Sequence, residues 1–311
     1  MIKFYGNRKK FFIFSMTMFA IGIIAFFING ISLDIQFKGG AILKYSFVNE
    51  LDKEKAANIA TTTLGRNVNV QEITDIAKKT KQIVLNVAGN EGISAQDQEK
   101  LDIALKEEFK DADLKLSESN MVEPFIGQRF FTNGLLAILL ASLLITIYVW
   151  WSFKRIASLS LGVMALIALL HDVAMVLVVF ILFKIPLNDS FIAVVLTILG
   201  YSMNDTVVIY DRIRENARIM KPNTPVDELV DVSINQSLTR SINTALATFV
   251  SILIAYIFAF IYNIESIKTF ALPMLVGIAT GAYSSICVAG PLWVVWQKRK
   301  QNQKQLLKQG K

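Results

Sequence analysis

Apolar residues in this chain gather into six long runs, at 11–33, 131–151, 159–183, 190–210, 241–262 and 267–296. A helix needs roughly 20 apolar residues to cross a bilayer, so the pattern predicts six transmembrane helices. The first run follows Lys3, Arg8, Lys9 and Lys10, a start it shares with signal peptides. Its apolar core is longer than a signal peptide's and no Ala-x-Ala site closes it, so it reads as a retained anchor. The last run carries Pro273, Gly277, Gly281 and Pro291 and is expected to kink or break.

Between the first two runs the period changes. Residues 41–48 alternate as a strand, 52–64 follow helical spacing, and 68–74 and 82–87 alternate again around a turn at 78–81. Residues 95–109 place Leu101, Leu105 and Phe109 on one helical face, and 114–122 read as a last strand. The order β-α-β-β-α-β is the split βαβ, or ferredoxin-like, arrangement, here an α+β domain over 34–128 inserted in an α-helical integral membrane protein. Its Lys- and Glu-rich helix faces are most simply solvated. Gly39 and Gly40, just past the anchor, are expected to let the chain turn closely against the membrane helices.

Composition agrees with this: 53% hydrophobic and 18% charged residues lie outside the range of soluble globular domains. The segment 31–128 holds 12 Lys and Arg against 16 Asp and Glu. With a whole-chain net charge of +7, the remaining residues therefore carry +11. That basic excess clusters at span ends, where the positive-inside rule accounts for it without nucleic acid. Lys154 and Arg155, then Arg212, Arg214, Arg218 and Lys221, then Lys298, Arg299, Lys300 and Lys304 all fall on one side. Both termini (1–10 and 297–311) and the 211–240 loop are thus expected in the cytoplasm, and 34–128 outside. Within that loop 226–238 reads as an amphipathic helix lying on the membrane surface. The single Cys287, in an apolar run, is most simply packing.

Ionisable residues inside spans are costly, by a few kcal/mol on insertion scales, and each is a functional candidate. Three places stand out: His171 with Asp172, Asp205, and Arg240. Thr197, Tyr201, Asn204, Asp205 and Arg212 share one helical stripe, while Ile192, Val195, Leu199 and Ile209 lie elsewhere. Arg240, Asn243, Thr244, Thr248 and Ser251 form a second polar seam on the next span. Asp205 precedes Asp211 by six residues and so sits about 9 Å inside that boundary. A low-dielectric site favours the neutral acid and a nearby guanidinium favours the carboxylate, so moving Arg240 relative to Asp205 could load and unload a proton. Spacing alone leaves a second reading equally open, in which these polar groups only lock helices together.

The other candidates have plainer readings. Asp172 is the deeper carboxylate, and His171 is more often a hydrogen-bonding packing residue than a ligand. One histidine without cysteine partners makes a metal site a poor fit. Asp211 with Arg212 and Arg214 reads as a structural ion cluster at the boundary. Gly277 and Gly281 form a small-xxx-small pair for close helix packing. No phosphate loop, activated nucleophile or metal cluster points to an enzyme or a cofactor.

The stretch "GYSMNDTVVIYDRIREN", from Gly200 to Asn216, closely resembles the fourth-helix signature of the SecF family, membrane subunits of the bacterial Sec protein-export machinery. "ALLHDV" at 168–173 resembles its third-helix motif, "LDIQFKGG" at 33–40 its post-anchor motif, and "LTRSINTALAT" at 238–248, more loosely, its fifth helix. The resemblance implies one six-helix half of an RND-type pair in the bacterial cell membrane, the other half being SecD. It implies action beside the SecYEG channel and the SecA motor, using the proton-motive force to draw preproteins across the membrane at a late stage. It puts the proton-path acid on Asp205 and its arginine partner on Arg240. Two alternatives remain: a non-conducting scaffold for SecD and the translocon, and half of a small-molecule or lipid exporter.

Overall fold

The computed structural model describes the chain except residues 35–36, 38–39, 49–50, 76–79, 89–92, 123, 154–157, 222–223, 263 and 310–311. Gly39, Lys154, Arg155 and the turn placed at 78–81 thus fall wholly or partly outside the described residues.

Helix α1, Arg8–Asn29, is the first long apolar helix. It leads to β1 (Gly40–Phe47), α2 (Lys53–Leu64), β2 (Val68–Asp75), β3 (Thr80–Ala88), α3 (Ala95–Glu108) and β4 (Lys115–Val122). The four strands form one antiparallel sheet in the order β2-β3-β1-β4. Alternation explains its face: Ala41, Leu43, Tyr45 and Phe47 of β1 and Ile83, Leu85 and Val87 of β3 are buried against Ala56, Ala60, Leu101 and Leu105 of the two helices. Both helices start at caps written in the sequence. Asp52 accepts from the Glu54 and Lys55 amides at 2.9 and 3.3 Å, and Ser94 pairs reciprocally with Asp97. Gly40 has φ +144°, a conformation side-chain-bearing residues rarely adopt, where β1 leaves the post-anchor segment. That segment is tied to the membrane helices: Asp34 N donates to Leu187 O at 2.9 Å, Leu187 N to Ser32 O at 2.8 Å, and Phe37 packs on Phe130 and Phe131.

The rest is helical: α4 (Pro124–Ser152), α5 (Ser158–Leu182), α6 (Asp189–Ile219), α7 (Val226–Ile261), α8 (Glu265–Ser284), a π-helical turn (Ser285–Ala289) and α9 (Gly290–Gln309). The last three are one span, so six of the described helices are long and apolar enough to cross a membrane. With the small sheet they make a mostly helical, multi-pass membrane protein. The sixth span does not break at Pro273, which lies within α8; it changes pitch at the π-turn instead.

Burial divides the six helices. In α5, α6 and the sixth span, half or more of the apolar window is buried, whereas in α4 and α7 only 6% is. Glycines set the closest approaches among the inner helices. A Cβ on Gly277 would stand 2.7 Å from Ile198, and one on Gly281 would stand 3.2 Å from Ser202 Cβ.

One expectation is corrected. The stretch 226–238 is not a separate helix on the membrane surface but the first part of the continuous α7, with Val230 and Ile234 fully buried. Gly290 makes the room, since a Cβ there would meet Ile234 at 3.0 Å and Val230 at 3.3 Å. The same end is strapped by the N-terminal segment. Tyr5 N donates to Asp231 at 2.9 Å, Ile2 N to Asn235 at 2.9 Å, and Lys298 pairs with Asp227 at 2.9 Å. The N-terminus, the α6–α7 connection and the start of the tail therefore meet at one end of the bundle.

Candidate functional site

Helix α6 is capped by Asn188, whose side chain accepts from Ser190 N at 3.1 Å, and runs nine residues past the apolar stretch read from sequence. Its apolar stripe, Val194, Val195, Ile198, Leu199 and Ile209, is buried in the core of the helix bundle. The polar stripe then falls at the edge of that core. Asp205 is 6% exposed, Tyr201 is half-buried, and Thr197, Gly200 and Asn204 are exposed. A Cβ on Gly200 would find nothing within 4 Å. On α7, Arg240, Asn243, Thr244 and Ser251 are also exposed and Thr248 is half-buried. The two seams thus border one open polar face, and they meet along it where Tyr201 reaches Thr248.

Asp205 sits at the inner rim of this face. Among the described residues its buried Oδ2 completes no hydrogen bond, and neither does the buried hydroxyl of Ser241 at the start of the second seam, although that hydroxyl stands close enough to act on the carboxylate. The groups that act on the carboxylate are Ser241 and Arg240, and no ion pair joins Arg240 to it among the described residues. Tyr201 engages Thr248 across the two helices and lies one turn from Asp205. A buried carboxylate oxygen left without a donor is expensive, and the open face beside it is where one would have to come from.

Asp172 is held in the opposite way. It is fully buried, and Oδ2 accepts from Ser202 at 2.6 Å and from Ser284 at 2.8 Å. Its Oδ1 lies 3.1 Å from Nδ1 of His171, whose Nε2 lies 3.0 Å from Ser15 Oγ. Ser15 is 3.2 Å from the Tyr283 hydroxyl, which donates to Phe11 O at 2.7 Å. A branch joins Thr206 to Ser285 at 2.8 Å, and Ser285 to the Ser202 carbonyl at 3.1 Å. Ser284 and Ser285 stand where α8 passes into the π-turn, a distortion that frequently accompanies functional positions. Sequence reasoning found Asp172 and His171 but missed Ser15, Ser202, Tyr283, Ser284 and Ser285. Ser202, three residues before Asp205 on one helix, was a partial signal; the others meet it only through packing, where Gly281 comes against Ser202.

The boundary cluster lies below Asp205. Arg214 pairs with Asp211 and sits 5.6 Å over the Phe153 ring, while Arg212 pairs with Glu215 and donates to Gln236 at 2.8 Å. Asn216 donates to Ser233 at 2.9 Å and to Gln236 at 2.7 Å. These contacts tie α6 to the start of α7 and so fix Arg240 and Ser241 relative to Asp205. Among the described residues no group of three or more His, Cys, Asp and Glu could hold a metal.

These features define a multi-pass membrane protein with two polar sites built into apolar helices. Residues 103–299 match the family model described as protein export membrane protein SecD/SecF, C-terminal, and the chain belongs to that family. It is 33% identical to the protein translocase subunit SecF of Alicyclobacillus acidocaldarius, over 94% of this chain and 91% of that one. It is also 32% identical to the protein translocase subunit SecDF of Bacillus subtilis, covering 95% of this chain but 38% of that protein. Among solved structures it resembles SecDF of Thermus thermophilus, described as a translocon-associated membrane protein, with a TM-score of 0.78 and 28% identity. That match covers 96% of this chain and 39% of the other, so the chain spans about two fifths of the SecDF proteins it resembles.

Proposed function

We propose that this chain is a SecF-type subunit of the Sec protein-export machinery, a transport role without catalysis of its own. In this reading it is one RND-type half, its outer domain is ferredoxin-like, and it uses the proton-motive force to promote a late stage of preprotein translocation beside SecYEG, with SecA acting indirectly. The observation that carries the reading is Asp205: a buried carboxylate with one unpartnered oxygen, beside Arg240 and at the rim of an open polar face. SecD is the partner that would close the face. Relatives named SecDF match this chain over only about two fifths of their length, which leaves room in them for a second half. Thr197, Tyr201, Asn204, Asn243, Thr244 and Thr248 would line the contact, and Gly200 would let the partner approach.

Sidedness follows from charge. The bundle end that gathers the N-terminus, Arg212, Arg214, Arg218 and Lys298 would face the cytoplasm of a bacterial cell membrane, with 34–128 outside. Driving force is ample in principle, since each charge crossing 100 mV delivers about 2.3 kcal/mol.

Asp205→Asn in cells tests this. Preprotein export should fall severalfold while the SecD-like partner still co-purifies; export at the parental rate would contradict the relay. The open seam also favours a second reading, in which the chain is a scaffold for its partner. There the same variant should lose the partner first. Transport of a small molecule by this chain alone would instead revive the exporter alternative.

A further inference from the structure

The hydrogen-bonded chain from Phe11 to Asp172 has a direction fixed by its end. The Phe11 carbonyl can only accept, so the single hydroxyl proton of Tyr283 goes to it, at 2.7 Å. The Tyr283 oxygen must then accept from Ser15 at 3.2 Å, which uses the only side-chain proton of Ser15. Ser15 therefore accepts from His171 at 3.0 Å, and Nε2 carries hydrogen. Nδ1 and Asp172 Oδ1, 3.1 Å apart, need one more proton between them. It resides on Nδ1, giving imidazolium and carboxylate, or on Asp172, giving neutral imidazole and carboxylic acid. Either form holds one proton more than a neutral imidazole facing a carboxylate, and either is neutral as a pair.

We propose that His171 and Asp172 form a proton-holding dyad inside this chain's own helix bundle, separate from Asp205, whose proton state sets the direction of the hydrogen bonds joining α1 to α8. When base in the medium removes the extra proton, the carboxylate requires Nδ1–H as its donor, and Nε2 becomes an acceptor. Ser15 then donates to Nε2, Tyr283 donates to Ser15, and Phe11 loses its side-chain donor. Proton release thus frees a contact between the first and sixth spans. Tyr283, half-buried, is the outermost hydroxyl of the path.

The surroundings suit a neutral pair. Around the dyad α1 supplies Ser15 and Phe19, α6 supplies Ser202 with Asp205 one turn beyond, and α8 supplies Tyr283 and Ser284, with Cys287 next along the π-turn. Helices α4 and α9 also pack on α5. Among the described residues the only charge that acts on Asp172 is that of His171. A lone carboxylate here would be an uncompensated buried charge.

His171 is the chain's one histidine, so a ¹⁵N-histidine-labelled full chain, purified with a histidine-free tag and placed in lipid bilayers, reports it alone by solid-state NMR. Near neutral pH, Nε2 should be protonated. Either Nδ1 is protonated as well, or the infrared spectrum shows a carboxylic-acid band that disappears in Asp172→Asn. At raised pH the wild type should switch to Nδ1–H with Nε2 bare. Asp172→Asn, whose amide donates to Nδ1 permanently, should keep Nε2–H throughout. A bare Nε2 near neutral pH overturns the proposal, as does Nε2–H with a bare Nδ1 and no carboxylic-acid band. Should the Asn variant not fold, the wild-type titration decides alone. The readout is independent of the relay at Asp205, because Asp205→Asn should leave the His171 signals in place whatever it does to export.

Discussion

Asp172 and Asp205 are both carboxylates on apolar spans, yet their surroundings differ at every point. Asp172 is fully buried, accepts two serine hydroxyls and faces His171, all from this chain. Asp205 lies at the rim of an exposed polar face and, among the described residues, keeps an oxygen without a hydrogen bond and makes no ion pair with the nearby Arg240. The first site is complete within the chain and the second is not. A complete network rigidifies a bundle, whereas a buried polar atom left without a partner calls for an explanation, which at Asp205 is the proposed partner and proton.

The largest effect that would break this comparison is on stability. Asp172→Leu strands Ser202, Ser284 and His171 in the core and should cost about 3–5 kcal/mol, read as a large drop in unfolding temperature in mild detergent. Asp205→Leu, which removes an already unsatisfied oxygen, should change stability by about 1 kcal/mol or less. Equal losses would show that the two sites are not held differently.

Gly281→Val should follow, because its side chain presses on Ser202 and so displaces a donor of Asp172. Overpacking of this kind costs about 1–3 kcal/mol. Gly200→Ala should do the reverse. Nothing lies within 4 Å of its Cβ position, so the isolated chain should gain about 0.5–1 kcal/mol from helix propensity. Co-purification with the SecD-like partner should nevertheless weaken, since the added methyl stands on the face that partner would cover. An unchanged complex yield would mean that the face around Gly200 meets lipid.

The smallest effect separates an unpartnered group with a role from one without. The Tyr210 hydroxyl is also buried and, among the described residues, unpartnered, but it lies deep against Phe153, with ring centroids 5.8 Å apart. Tyr210→Phe should raise the unfolding temperature by a few degrees and leave export unchanged. Loss of export in this variant would extend the site to the boundary cluster.

Much of this was legible in the chain itself. The spans follow from apolar length, and all six elements of the inserted sheet domain follow from alternation and helical spacing. Asp205 was legible because its polar neighbours recur at helical spacing. The Asp172 network was not, for a physical reason. Ser15, Ser202, Ser284 and Ser285 are single hydroxyls on three apolar spans, and only tertiary packing, set by glycines such as Gly281, brings them together. The stretch 226–238 misled for a related reason, because its apolar face fits a membrane surface as well as the groove that Gly290 opens.

The proposed function gives Asp205 the handling of a proton that would drive export, in place of a scaffold role for the chain. The direct measurement is proton flux through the chain co-reconstituted with its SecD-like partner in proteoliposomes under an imposed pH difference. Asp205→Asn should abolish the flux at unchanged complex yield, whereas flux at the wild-type rate in that variant would contradict the claim.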